Sequence, residues 1–168
     1  MSATQLDLFN AQEFQVKPSI EDRFRTALEC LDSIPNINFG GCGLSALSIY
    51  RWCKKNGVQV DDEPFVILCD DEWELSHNNA CIEQGAINDV SIPHIAIQVD
   101  GELWDSTGNE PTVNYPYHTE AFGTSELIEL LNEHGWNSWF NREKFLPIIE
   151  IGLEIDLSDI GKNLAEDY

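Results

Sequence analysis

Residues Leu44 to Cys53 constrain the fold more than any other stretch of this chain. They are almost wholly apolar, and only Ser45, Ser48 and Arg51 break the run, as one narrow stripe at spacings of three. A helix that is apolar nearly all round has to be buried, so the rest of the chain must pack around it. Lys54 and Lys55 suit its last turn and Gly57 its C-cap. A glycine-rich turn, Asn36-Ile37-Asn38-Phe39-Gly40-Gly41, delivers Cys42 to its start. Gly40, Gly41 and Gly43 put little side-chain bulk around the sulfur, so the expectation is that a substrate can approach it. Free N–H groups and the positive dipole end favour the thiolate there. The structural alternative is a small buried residue at a tight turn.

The 168 residues, 42% of them hydrophobic, suit one domain with a real core. Five cysteines, without close pairs and without a CxxC spacing, argue against a disulfide framework or zinc ribbon and for a reducing, cytoplasmic compartment. Neither a signal peptide nor a run long enough to span a membrane is visible. Thirty acidic against nine basic side chains give a net charge of -21, a field that repels nucleic acid and anionic lipid. It fits a basic partner, a surface that imitates DNA, or plain solubility.

Residues 1–18 read as a flexible tail, 19–157 as a single domain, and 158–168 as an acidic tail that frays. Ser19 with Asp22 three residues on marks a helix start, and Ile20, Phe24, Ala27, Leu28 and Leu31 recur at helical spacing before Pro35. Pro64 to Cys69 predicts a strand with two apolar faces. Residues 71–92 read as an irregular crossover; Cys69, just before it, with His77 and Cys81 inside it, matches no common zinc spacing. Residues 112–122 read as loop. Ser125 reads as the cap of an amphipathic helix through Leu131 that ends at Gly135. Trp136, Trp139 and Phe140 suit a core anchor or a groove wall, and Ile148 to Leu157 reads as a strand or strand pair.

Asp100-Gly101 sits between two alternating runs, a strong signal for a two-residue hairpin. The register pairs Val99 with Glu102, Gln98 with Leu103, Ile97 with Trp104 and Ala96 with Asp105. His94 and Asp105 then share a face as diagonal neighbours, about 7–8 Å apart at the backbone. An aspartate there can hold the imidazole in one tautomer. Asn36 and Asn38, shortly before Cys42, are candidate donors to an oxyanion beside the Cys42 N–H; either can instead shape the turn.

Cys42, His94 and Asp105 in that order and context resemble the papain-like cysteine peptidase superfamily. Cys42-Gly43-Leu44-Ser45-Ala46-Leu47 is similar to the cysteine motif of the bacteriocin-processing peptidase domains of bacterial exporters, in which a glutamine stands six residues before the cysteine; here that position is Asn36. His94 to Gly108 is similar to the histidine and aspartate strands of transglutaminase-like proteins. The tryptophan that follows the cysteine in papains and transglutaminases is Gly43 here. The resemblance implies an α+β fold, with a central cysteine-bearing helix packed on an antiparallel sheet. It implies a cofactor-free amide hydrolase or acyl-transferase acting on a peptide or protein, with Cys42 as nucleophile, His94 as base, Asp105 as its orienter, and Asn36 at the oxyanion.

In the tail, Gln5-Leu6-Asp7-Leu8-Phe9 resembles the short peptide by which many bacterial proteins dock on the replication sliding clamp. Leu8 and Phe9 would fill an apolar pocket while Gln5 is hydrogen-bonded at its rim. The same apolar residues can instead pack on their own domain. A non-enzymatic acidic interaction protein, binding the clamp or imitating DNA, is therefore the competing class.

Overall fold

The computed structural model describes residues 17–111, 115–133 and 140–161. Gln5–Phe9, His134, Trp136 and Trp139 lie outside the described residues. Within them the chain is mixed α and β. It runs α1 (Ile20–Asp32), α2 (Cys42–Asn56), β1 (Phe65–Cys69), α3 (Glu72–Glu83), a 3-10 turn (Ile87–Asp89), β2 (His94–Val99), β3 (Glu102–Trp104), β4 (Tyr117–His118), α4 (Thr124–Glu133) and α5 (Arg142–Leu153). The four strands form one antiparallel sheet in the order β3-β2-β1-β4.

α2 lies at the centre. Ten of its fifteen residues are buried, and it packs against β2, α1, α4 and α5. Leu44, Leu47 and Ile49 are each at most 1% exposed, and each such burial contributes about 2 kcal/mol. Two of the three residues of the polar stripe are satisfied within the protein: Ser48 Oγ donates to the Leu44 carbonyl at 2.7 Å, and Arg51 grips Asp159 with both terminal nitrogens at 2.7 and 2.6 Å, while Ser45 Oγ is buried without a hydrogen-bond partner among the described residues. Gly57 closes the helix at φ 71, the left-handed conformation expected of its cap.

α1 starts on the expected capping box: Ser19 Oγ accepts from the Asp22 N–H at 3.0 Å and the Asp22 carboxylate accepts from the Ser19 N–H at 3.3 Å. β1 is buried at all five residues, paired by β2 on one side and β4 on the other. The β2–β3 hairpin has the predicted register at three pairs, Val99–Glu102, Gln98–Leu103 and Ile97–Trp104. Asp100 and Gly101 both take positive φ, 52° and 78°, as a type I′ turn requires. The fourth expected pair is not formed. Asp105 leaves the ladder and bridges to Gly108, so the chain folds back in a tight turn.

Several expectations are corrected. Residues 72–83 are helical rather than irregular: Asp71 Oδ1 accepts from the Glu74 N–H at 2.8 Å, and Glu72 and Glu74 occupy the first turn, where the helix dipole favours acids. An acidic cluster that reads as solvated loop is a helix start. Residues 148–153 belong to α5, not to a strand. Asn141 caps that helix, and Phe145, Ile149 and Leu153 form its buried face at spacings of four. Packing of that face overrides the β-propensity of Ile148, Ile149 and Ile151. Ser125 lies inside α4, which begins at Thr124. The stretch read as loop contains β4, and Phe122 bridges to Phe65. Packing also continues past Leu157, for Ile160 is 3% exposed. All five cysteines are free thiols. Among the described residues no helix is long and apolar enough to cross a membrane.

Candidate active site

Three chain segments meet at the start of α2. The first is the turn that precedes it. Asn36 and Gly40 take left-handed backbone conformations, φ 63 and 99, which reverse the chain sharply enough to present Cys42 at the helix tip. Gly41 is required by packing: a Cβ there would lie 2.7 Å from the Ile37 carbonyl oxygen and 2.9 Å from the Phe140 ring. Gly43 is tight but less so, with Ile95 and Leu131 side chains 3.2 Å from where its Cβ would be. The glycines on either side of Cys42 therefore serve close packing rather than open access to the sulfur. Gly43 lets α2 settle on β2 beside Ile95, and Ile95 follows His94 in the chain. A larger residue after the cysteine would have to push these side chains aside.

His94 opens β2. Its Nε2 lies 2.8 Å from Asp105 Oδ2, and the Cys42 side chain is near enough to act on the charge of the ring. Nε2 is the nitrogen committed to the carboxylate. The residues the sequence separates are thus brought together: Cys42, His94 and Asp105 are 3%, 4% and 6% exposed. Exchanges among them are screened little by water.

Asp105 is held by its own turn. Its Oδ1 accepts from the Thr107 N–H at 2.7 Å and from Thr107 Oγ1 at 2.6 Å, while Oδ2 faces His94. Burial would raise this carboxyl, but the hydrogen bonds from His94 and Thr107 outweigh burial and hold it below the ordinary carboxylate value. For His94, burial would favour the neutral ring; the hydrogen bond with Asp105, the nearby Cys42 side chain and the charges beside it outweigh that and push its pKa up to about 9. The geometry therefore supports a buried imidazolium held by a carboxylate with a sulfur nearby. A ring that already holds the proton can give it to a leaving group.

Asn36 and Asn38 part company. Asn36 is exposed at its strained turn position. Asn38 is half-buried and its Nδ2 donates to Ser106 Oγ at 2.9 Å, tying the cysteine turn to the aspartate turn. Three further residues of the site escape sequence reasoning. Tyr115 stacks on the His94 ring, with centroids 5.8 Å apart and planes within 5°. Burial, then the surrounding negative groups, raises its phenol. Its link to His94 is long-range and leaves no local signal. Ser106 is reached only through Asn38. Thr107 did leave one: an Asp followed two residues later by a hydroxyl is the spacing of an Asx turn.

Outside this site, Cys81 Sγ lies 3.7 Å from His77 Nε2, while Cys69 Sγ accepts from Asn78 Nδ2 at 3.6 Å. Among the described residues no three His, Cys, Asp or Glu side chains gather to hold a metal ion. Comparison with family models, with curated proteins and with solved structures returns no match for this chain.

Proposed function

We propose that the chain is a cysteine-dependent amide hydrolase or acyl-transferase of papain-like arrangement, working through Cys42, His94 and Asp105. One observation carries the reading: a buried His94 bonded to Asp105 at 2.8 Å, with the Cys42 side chain near enough to raise its pKa. In the proposed reaction the Cys42 thiolate attacks an amide carbonyl, with its proton held on His94. A carbon–sulfur bond forms and the carbonyl electrons move onto oxygen. The Cys42 backbone N–H, one of the donors a helix start leaves without an internal partner, faces that charge, with Asn36 assigned as a second donor. His94 then gives its proton to the leaving amine as the carbon–nitrogen bond breaks, leaving a thioester. Water completes hydrolysis or deamidation; an amine completes transfer. Asp105 keeps the ring oriented and does not itself take the proton.

Intact-mass spectrometry with p-nitrophenyl esters of acylated amino acids tests this. A mass gain confined to Cys42, slow in His94→Ala and lost in Cys42→Ala, is the expected result, and decay of the adduct in water or in added amine distinguishes hydrolase from transferase. No adduct on Cys42, or equal acylation of the His94→Ala protein, overturns the reading. Asn36→Gly, which keeps the left-handed backbone, should slow acylation.

A second reading, a non-enzymatic acidic interaction protein, draws on the net charge of -21 and on the burial of Cys42 at 3% exposure. In that reading Gln5–Phe9 docks on the bacterial sliding clamp. A clamp pull-down that survives Leu8→Ala with Phe9→Ala would sink it.

A further inference from the structure

A groove of about 770 Å³ runs between the outer face of α1, the β2–β3 hairpin and the Ser106–Asn109 turn. It shares with the site above the turn that holds Asp105, Thr107 included, but its lining contains none of Cys42, His94 and Asp105. Its wall is aromatic and aliphatic: Phe24 and Trp104 meet edge-on, with centroids 5.1 Å apart, beside Leu28. Its rim is acidic. Glu21, Glu29 and Asp32 come from α1, Asp100 and Glu102 from the hairpin, and all five are exposed. Among the described residues none of the five forms an ion pair. The one cation in the lining, Arg25, is paired with Asp22 outside it at 3.8 Å.

We propose that this groove binds an arginine-bearing, amphipathic peptide segment of a partner protein. Carboxylates on a rim above aromatic rings suit a guanidinium in two ways, by charge and by stacking over the ring face. The apolar wall takes the aliphatic residues between the cations. Charge complementarity selects this occupant over two others. A second copy of the chain would bring another net charge of -21 to an acidic rim. The N-terminal segment 1–16 carries Asp7 and Glu13 and neither lysine nor arginine. The volume lies in the range of built ligand sites, which is roughly 300–1,000 Å³.

The test is an NMR titration of the full-length, isotope-labelled protein with a peptide of alternating arginine and leucine, read at the Trp104 indole and the Phe24 and Thr107 amides. Saturable shifts at these positions are expected. Glu29→Lys with Asp32→Lys should weaken binding about tenfold, while Asp61→Lys with Glu63→Lys, an equal charge change on exposed residues outside the groove, should alter it less than about twofold. No shifts, equal weakening by both pairs, or equal binding of a glutamate–leucine peptide overturns the proposal. So do the same shifts from spermine, from raising the protein concentration, or, in the free protein, from Leu8→Ala with Phe9→Ala. These results would assign the groove to a small polyamine, a second copy or the chain's own N-terminal segment. None of the readouts depends on Cys42, so the groove and the catalytic reading fail separately.

Discussion

Two thiols ride on α2, one at each end, and the fold treats them in opposite ways. Cys53 is fully buried among apolar side chains, and burial alone pushes its pKa up to about 12. It is a small hydrophobe. Cys42 is 3% exposed, nearly as buried, but it sits in the first turn and meets the His94 ring. Exposure does not separate the two; the neighbour does. What a thiol can do in this protein depends on whether an imidazole backed by a carboxylate has been folded against it.

The largest blow to that contrast is removal of the carboxylate. Asp105→Ala leaves a buried imidazole without its partner and should cost about 3–5 kcal/mol of stability in urea unfolding, against about 1 kcal/mol for Cys53→Ala at the other end. Next comes the base. His94→Ala should lower the rate of Cys42 acylation about a hundredfold, whereas Cys53→Ala should leave it unchanged, both read by intact mass. Third is pH. His94 titrates above its ordinary 6.5 in the folded state, so its contribution is complete below pH 6.5 and is lost as pH rises through about 9. Asp105 is lowered, so its share is complete above its ordinary 3.8 and is lost as pH falls through its lowered value. Stability to urea should therefore hold steady between about pH 4 and 6.5 and then decline by about 3 kcal/mol as pH rises through about 9, and His94→Gln should flatten the decline. The smallest effects are at the glycines. Gly43→Ala forces a methyl against Ile95 and Leu131 and should cost about 1–2 kcal/mol while also slowing acylation, because α2 moves off β2. Gly57→Ala meets open space but a left-handed φ; it should cost about 1 kcal/mol and spare acylation.

How much of this was readable in advance follows from how local each signal is. The hairpin register was legible over three pairs because Asp100-Gly101 fixes the turn and strict alternation fixes the faces. The His94–Asp105 contact was expected from a fourth pair that does not form, and Asp105 makes it from a turn bridged to Gly108. The extent of α2 and the capping box of α1 were equally local. The contact between Cys42 and His94 was not. It depends on α2 docking against β2 through Gly43, and in the sequence it rested on resemblance alone. α3 was hidden because its buried surface is small, Asn78 and Cys81 only, and acids at a helix start look like acids in a loop. α5 was hidden because three isoleucines argue for a strand until the fourfold spacing of Phe145, Ile149 and Leu153 is weighed against them. Tyr115 on His94 and Asn38 on Ser106 join distant segments with no motif at either end.

The most direct test is competitive alkylation of the native protein with limiting iodoacetamide at neutral pH, with Cys42 and Cys53 quantified by peptide mass spectrometry. The account predicts that Cys42 is modified first, and faster than the same thiol in the urea-unfolded chain, while Cys53 stays unmodified until unfolding. Native Cys42 as inert as Cys53, or no faster than its unfolded counterpart, would contradict it.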